Sequence, residues 1–345
     1  MDAENAPAAA RDAFPRRVIA VAASAGGVEA LRRLVSTLPA DLDAAICVVL
    51  HIPPTGRSLL APILDRESVL PVVLAEHEAP LRRGTIYVAP ADHHLLVRAH
   101  RVELSRGPKE NGARPAADPL FRSLARSWGA RGLAVVLSGA LDDGAAGAVA
   151  VAVAGGSVVV QDPEDAVVPG MPLSTLAVVR PDAVVDLQHM AAALQRMVDA
   201  PLPASGKEAS VTQEPDPAEQ MLGPMRPAGA PSGLTCPECS GALWEFSEGE
   251  LVRYRCRVGH AYSEEAMVEA QGSAVEAALW TALEVLEERS ELLRRIADRM
   301  ERTPKSRNRF REGAREADER AAVIRRVLDT GRVLDFGRDE ETAAG

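Results

Sequence analysis

The chain has 345 residues, which at roughly 150 per domain implies two or three folding units. Apolar residues make up 47% and charged residues 26%, and 39 Lys and Arg against 49 Asp and Glu leave a net charge of −10, which argues against a general grip on nucleic acid. The longest apolar stretches, such as Ala145 to Gly156, are too short for a membrane span, and the N-terminus lacks a secretory pattern, so a cytoplasmic protein with no direct membrane insertion is expected.

Residues 1–15 are rich in Ala, Pro and charge and read as a disordered lead-in. From 16 to 199 short β-branched runs alternate with helical segments. Val18–Ala23, Ala45–Leu50, Thr85–Ala89, Leu133–Leu137, Ser157–Gln161 and Ala183–Leu187 read as strands. Gly27–Thr37, Asp118–Trp128, Gly144–Ala154 and Gln188–Asp199 read as helices. The strands lack period-2 alternation, which implies cover on both faces and a doubly wound, mostly parallel α/β sheet. Leu95–Arg98 and Val102–Ser105 suggest a local hairpin.

Residues 200–232 carry seven prolines and read as a linker. Residues 233–262 form a small cysteine-bearing module, and 263–345 a helical tail. In the tail, Val275, Leu279, Ala282, Leu286, Leu293, Ile296 and Met300 keep a three-to-four spacing. Phe310, Ala314, Ala317, Ala321, Ile324 and Leu328 repeat it beyond Pro304 and a basic stretch read as an interhelical loop. A helical hairpin is the simplest reading, with a dimeric coiled coil, and so a homodimer, as the alternative. Ser263 is placed to cap the first tail helix, ahead of Glu264 and Glu265.

Three strand ends offer chemistry. Ser24 ends the first, in Ala23-Ser24-Ala25-Gly26-Gly27, where the glycines permit close backbone approach and helix amides could stabilise an oxyanion. His51 ends the second and could take the serine proton. After Leu133–Leu137 comes Ser138-Gly139-Ala140-Leu141-Asp142-Asp143-Gly144, in which an acid could orient the histidine. Singly, each has a plainer explanation: Ser24 as a helix cap, His51 as a hydrogen-bonded strand end, Asp142 or Asp143 as the cap of the next helix. Together they suggest a Ser-His-Asp hydrolase.

Cys236-Pro-Glu-Cys239 and Cys256-Arg-Val-Gly-His260 supply three thiolates and an imidazole, the donor set of a closed, structural Zn2+ site, in a segment too small to hold much core. No cofactor is expected for catalysis itself.

Residues from Arg17 to about Leu194 resemble the catalytic domain of the CheB-type chemotaxis protein-glutamate methylesterases. The resemblance rests on Ser24-Ala25-Gly26-Gly27, His51-Ile52-Pro53, Gly84–Pro90, Asp118-Pro119-Leu120-Phe121, Ser138–Gly144 and Gly170-Met171-Pro172. It implies a triad of Ser24, His51 and Asp143, with Asp142 at a more variable position. It also implies demethylation of γ-glutamyl methyl esters, with glutamine deamidation permitted, on cytoplasmic helices of methyl-accepting chemoreceptors, in chemosensory signal transduction. Met171 and Pro172 are expected at the rim of the site. Ala25 stands where the family commonly has Thr, and Ala140-Leu141 where it has Met-Gly, which alters the lining. The segment before Arg17 is too short for a receiver domain, so phosphorylation control on this chain is not expected. A non-catalytic adaptor that docks on receptors is the rival reading, and a zinc-ribbon nucleic-acid binder is disfavoured by the acidic balance. The sequence also suggests that the extension targets the enzyme and that the α/β part works without it.

Overall fold

The computed structural model describes residues 14–52, 58–202, 229–248, 251–299 and 304–330. The expected lead-in up to Ala13, Pro53, most of the Pro-rich linker, Met300 and the end of the tail lie outside the described residues. The described residues fall into two compact units, one ending at Ala266 and the other beginning at Met267.

Seven parallel strands organise the first unit: β1 (Arg17–Ala23), β2 (Ala44–Leu50), β3 (Val72–Leu74), β4 (Ile86–Val88), β7 (Gly132–Val136), β8 (Ser157–Gln161) and β9 (Ala183–Val185). Their order is β3-β4-β2-β1-β7-β8-β9. Every residue of β1 and β2 is buried, yet the side chains still alternate between faces. Ile19, Val21 and Ala23 join one core with α1 (Gly27–Thr37), α2 (Leu60–Asp65) and α6 (Leu187–Asp199). Val18, Ala20 and Ala22 join the opposite core with α3 (Ala117–Trp128) and α4 (Ala145–Val153). This explains the continuous apolar runs. The hairpin β5 (His94–Arg98) and β6 (Arg101–Ser105) pairs only with itself, so the main sheet is wholly parallel.

The sequence reading omits β3, α2 and α5 (Gly170–Val178). Strand β3 is a three-residue edge with Val73 and Leu74 exposed, α2 is a six-residue helix containing Pro62, and α5 is apolar along its length without a marked stripe. None of these gives a clear period.

Four antiparallel strands follow: β10 (Ala230–Thr235), β11 (Ala242–Glu248), β12 (Leu251–Cys256) and β13 (Ala261–Ser263). This ribbon belongs to the first compact unit. Ser263 accepts the Ala266 amide at 3.1 Å and caps α7 (Glu264–Arg299), as the sequence indicates.

In the second unit α7 pairs antiparallel with α8 (Pro304–Thr330), and Arg325 bonds Glu287 while Ser290 Oγ donates to Asp318 at 2.6 Å. Leu283, Ser290 and Ala297, seven apart, are buried on one helix, and Ala314, Ala317 and Ala321 on the other. The α8 residues are those of the expected stripe, whereas on α7 the most buried positions lie beside the expected Ala282, Leu286, Leu293 and Ile296, which are half-buried. The basic stretch after Pro304 is helical, with proline in the first turn where its missing N–H costs nothing.

Candidate active site and metal centre

Strand order places the first two candidates together. Ala23 pairs with Leu50, and the His51 amide donates to the Ala23 carbonyl at 3.2 Å, so Ser24 and His51 leave the sheet as neighbours. On the other flank of β1, the Ser24 amide donates to the Ser138 carbonyl at 3.0 Å. Chain order runs outward from β1 through β2 on one side and from β7 on the other. The crevice between β1 and β7 is therefore the topological switch point, where α/β folds collect ligands.

The serine turn is tightly held. Ser138 Oγ donates to the Ala25 carbonyl at 2.8 Å and accepts the Val168 amide at 2.9 Å. Gly26 has a φ of 75°, and a Cβ there would lie 2.7 Å from Ser138 Oγ, so both conformation and space require glycine. Gly26 is itself the residue preceding α1, with no side-chain cap. The Ser24 hydroxyl is thus not used as a helix cap. The Gly27 amide is bound to the Ser24 carbonyl at 2.9 Å, which removes it from the expected oxyanion donors and leaves the amides of Ala25 and Gly26.

Asp143 is buried, and its Oδ2 lies 2.6 Å from His51 Nε2. The same carboxylate accepts the amides of Ala117, at 2.5 Å, and Asp118, at 3.2 Å, and the Asn111 side-chain amide, at 2.9 Å. It therefore closes the positive N-terminus of α3. Asp118 does the reciprocal service for α4, accepting Gly144 N at 3.1 Å and Gly147 N at 2.8 Å. Neither Asp142 nor Asp143 caps α4, contrary to the plainer sequence reading. Asp142 instead accepts Ser263 Oγ at 2.6 Å, and burial pushes its carboxyl up to about 6.

Burial works against charge on Asp143, but the His51 bond and charge, with the Ala117 and Asn111 donors, outweigh it and hold the acid well below the usual range. Burial likewise opposes the His51 cation, and Asp143 again wins, so the imidazole is raised above 6.5. Because Nε2 faces the acid, Nδ1 is the nitrogen left for a reacting group.

Two expected rim residues, Met171 and Pro172, are buried on α5. The Met171 sulfur packs at Gly139, on the side that also faces Ser24 Cβ. His94 is buried: Nε2 bonds the Pro108 carbonyl at 2.9 Å, and Nδ1 accepts Ala116 N at 3.3 Å, bracing the loop that carries Asn111. Sequence reasoning gave no role to Asn111, Asp118 or Arg253. Asp118 stood only within the Asp-Pro-Leu-Phe motif, and Asn111 and Arg253 carry no local pattern.

Leu141 has a φ of 60°, a left-handed backbone that favours glycine and costs a branched residue about 1–2 kcal/mol. It occupies one of the two positions where the sequence departs from the Met-Gly pair. Leu141→Gly should stabilise the fold by up to about 1 kcal/mol, since relief of strain exceeds the entropy added to the unfolded chain. Thermal unfolding checks this, and a lowered midpoint would contradict it.

Cys236, Cys239, Cys256 and His260 place their donor atoms within 4.8 Å of one another. Cys236 Sγ and Cys256 Sγ lie 3.6 and 3.5 Å from His260 Nδ1, and Cys239 Sγ lies 3.6 Å from Cys256 Sγ. Ligands at about 2.3 Å for sulfur and 2.0–2.1 Å for nitrogen around a tetrahedral centre would be separated by about 3.6–3.8 Å. The donor set and these three edges fit such an ion. None of the four cysteines is disulfide-bonded in this structure.

A family model described as CheB methylesterase matches residues 19–194. A Caulobacter vibrioides protein named protein-glutamate methylesterase/protein-glutamine glutaminase 2 is 43% identical over 172 residues, covering 48% of this chain and 50% of that protein. A Methanosarcina mazei protein of the same name is 37% identical over 191 residues, 53% of this chain and 52% of that protein. The crystal structure of the Thermotoga maritima CheB methylesterase catalytic domain aligns with a TM-score of 0.51 at 33% identity, covering 52% of this chain and 98% of that one. The chain spans about half the length of the curated relatives it matches.

Proposed function

The chain belongs to the CheB methylesterase family, and from that premise we propose that it is a serine hydrolase demethylating γ-glutamyl methyl esters of proteins. Ser24 attacks the ester carbonyl while His51 Nδ1 takes its proton, and Asp143 holds the opposite nitrogen and stabilises the imidazolium. The amides of Ala25 and Gly26 face the developing oxyanion. Methanol leaves with the proton from His51, and a water activated by the same nitrogen releases the glutamate and frees Ser24. An amide substrate expels ammonia, protonated by His51, in place of methanol and reaches the same acyl-enzyme, so glutamine deamidation belongs to the same site. The relatives' names carry both activities.

The observation that carries this reading is the 2.6 Å contact between His51 and a buried Asp143, beside Ser24 at the switch point. A docking adaptor has no use for a buried carboxylate held ionised by four donors, which is costly without a reaction to serve. The substrate is proposed to be the methylated cytoplasmic helices of chemoreceptors, which puts the enzyme in the cytoplasm. Among the described residues no helix is long and apolar enough to cross a membrane. One structural Zn2+ is proposed for Cys236, Cys239, Cys256 and His260. Exposed Val285 and Leu292, seven apart on α7, support the tail as a homodimer contact.

A serine-directed phosphonate tests the assignment: mass spectrometry should find it on Ser24 alone, and labelling elsewhere or nowhere would sink it. The pH profile is a second test. The reaction needs neutral imidazole, and the His51 pKa is raised, so kcat/KM should fall towards acid through a midpoint above 6.5 that belongs to the His51–Asp143 pair. A midpoint below 6.5 would contradict the geometry.

A further inference from the structure

We infer that the ribbon is part of the catalytic apparatus, with Arg253 and the Ser263 amide as positioning groups that hold Asp143 through Asp118 and Asn111. The inference rests on the hydrolase reading above. Residues 229–263 lie outside the span that the family model matches.

One arm runs through Asn111. Its backbone is left-handed, with a φ of 51°, and its amide donates to the Ala261 carbonyl of β13 at 2.8 Å. Two residues along the same strand, the Ser263 amide donates to Asn111 Oδ1 at 3.0 Å. Only the oxygen end of the side chain can meet that donor, so the NH2 end is turned to Asp143 Oδ1 at 2.9 Å. The strand thereby chooses which end of the amide faces the acid. Without it the side chain could rotate and present an oxygen to a carboxylate.

The other arm runs through charge. Asp118 and Asp143 are both buried and closely linked: Asn111 Nδ2 reaches 3.3 Å from Asp118 Oδ2 as well as bonding Asp143. Two carboxylates in one buried place repel, and one takes up a proton unless a cation compensates. Arg253 is the cation bonded directly to Asp118, with Arg122 acting from beside Glu110. The Arg253 side chain is 2% exposed, Nη1 donates to Asp118 Oδ2 at 2.7 Å, and Nη2 lies 3.6 Å from Glu110 Oε2. Its Nε has no hydrogen-bond partner among the described residues. A buried apolar side chain would stabilise the ribbon interface better than an arginine with an unmet donor, so packing alone is a poor account of this residue. Burial still raises the Asp118 carboxyl above its usual range, and Arg253 is the largest influence opposing that rise. Ionised Asp118 is the acceptor for Gly144 and Gly147 at the N-terminus of the helix next to Asp143.

The test uses the full chain and a methyl-esterified glutamyl peptide, with Arg253→Met, Arg253→Lys, Asn111→Gly and Ser24→Ala measured beside wild type. Asn111→Gly removes the side-chain amide and leaves a residue that tolerates the backbone. Arg253→Met and Asn111→Gly should each lower kcat by about tenfold, the worth of one hydrogen bond to a charged group, with KM within about twofold. Arg253→Lys should recover part of the loss. Glu245→Gln, on an exposed ribbon position, should change neither constant. Retention of kcat within about twofold in both Arg253→Met and Asn111→Gly, while Ser24→Ala is inactive, would overturn the inference and leave the hydrolase reading intact. Activity in Ser24→Ala would instead remove the reading on which it rests. Should Arg253→Met fail to fold, Asn111→Gly decides alone.

Discussion

Ser24→Ala and His51→Ala should each lower methyl-ester hydrolysis by roughly a million-fold, and the double variant should be little worse than either. The three residues act as one device: the hydroxyl is not a nucleophile until the imidazole takes its proton, and the imidazole is misplaced without the acid. Asp143→Asn should cost roughly ten-thousand-fold, because an amide NH2 facing His51 Nε2 would force the proton onto Nδ1, the nitrogen that must accept. Asp142→Asn should cost little, since an amide oxygen can still accept from Ser263 Oγ and Asp142 does not touch His51. Methanol release under saturating substrate measures all five. A greater loss from Asp142→Asn than from Asp143→Asn would mean that the acid is assigned to the wrong residue.

How much of this was legible beforehand depends on how local each signal is. Ser24 and His51 each end a β-branched run, and a parallel sheet brings such ends to one edge whatever the strand order. Asp143 follows a third run in the same way. Two adjacent acids cannot be separated by period or propensity. The resemblance selected Asp143, and the structure shows why the two differ: one points at α3 and His51, the other at Ser263. The reciprocal capping was invisible, because Asp118 and Asp143 each serve a helix begun far away in sequence. The ribbon's docking escapes a sequence reading for a related reason. A proline-rich stretch before a small cysteine module looks like a tether, but nothing in such a stretch records that Arg253 ends up buried against Asp118. Ser290, a polar residue at the centre of the helical seam, defeats an apolar-stripe reading in the same way.

Removal of metal should have the second large effect, on the ribbon. Residues 229–263 bury few large side chains, chiefly Leu243, Tyr262 and Arg253, and so small a sheet does not hold itself together on apolar burial. Two short knuckles fixed by one ion would supply what the core lacks, on the scale of about 10–16 kcal/mol found for structural zinc in small peptides at neutral pH. The Tyr262 hydroxyl, 3.9 Å from Cys236 Sγ, adds an outer contact on the ligand side of the sheet. Protein purified without chelators should therefore contain one zinc per chain by elemental analysis. Cys236→Ser and Cys256→Ser should lose it, whereas Cys47→Ala, in the buried β2 strand, should not. Hydrogen exchange separates the consequences: amide protection across β10–β13 should collapse on chelation, while β1, β2 and β7 stay protected by the seven-stranded sheet. The Asn111 amide, bonded to Ala261, should lose protection together with the ribbon, because its acceptor belongs to β13. A ribbon that stays protected in protein shown to carry no metal and four titratable thiols would refute the zinc assignment. A ribbon that unfolds while Asn111 stays protected would show that the loop is held from the α/β side alone.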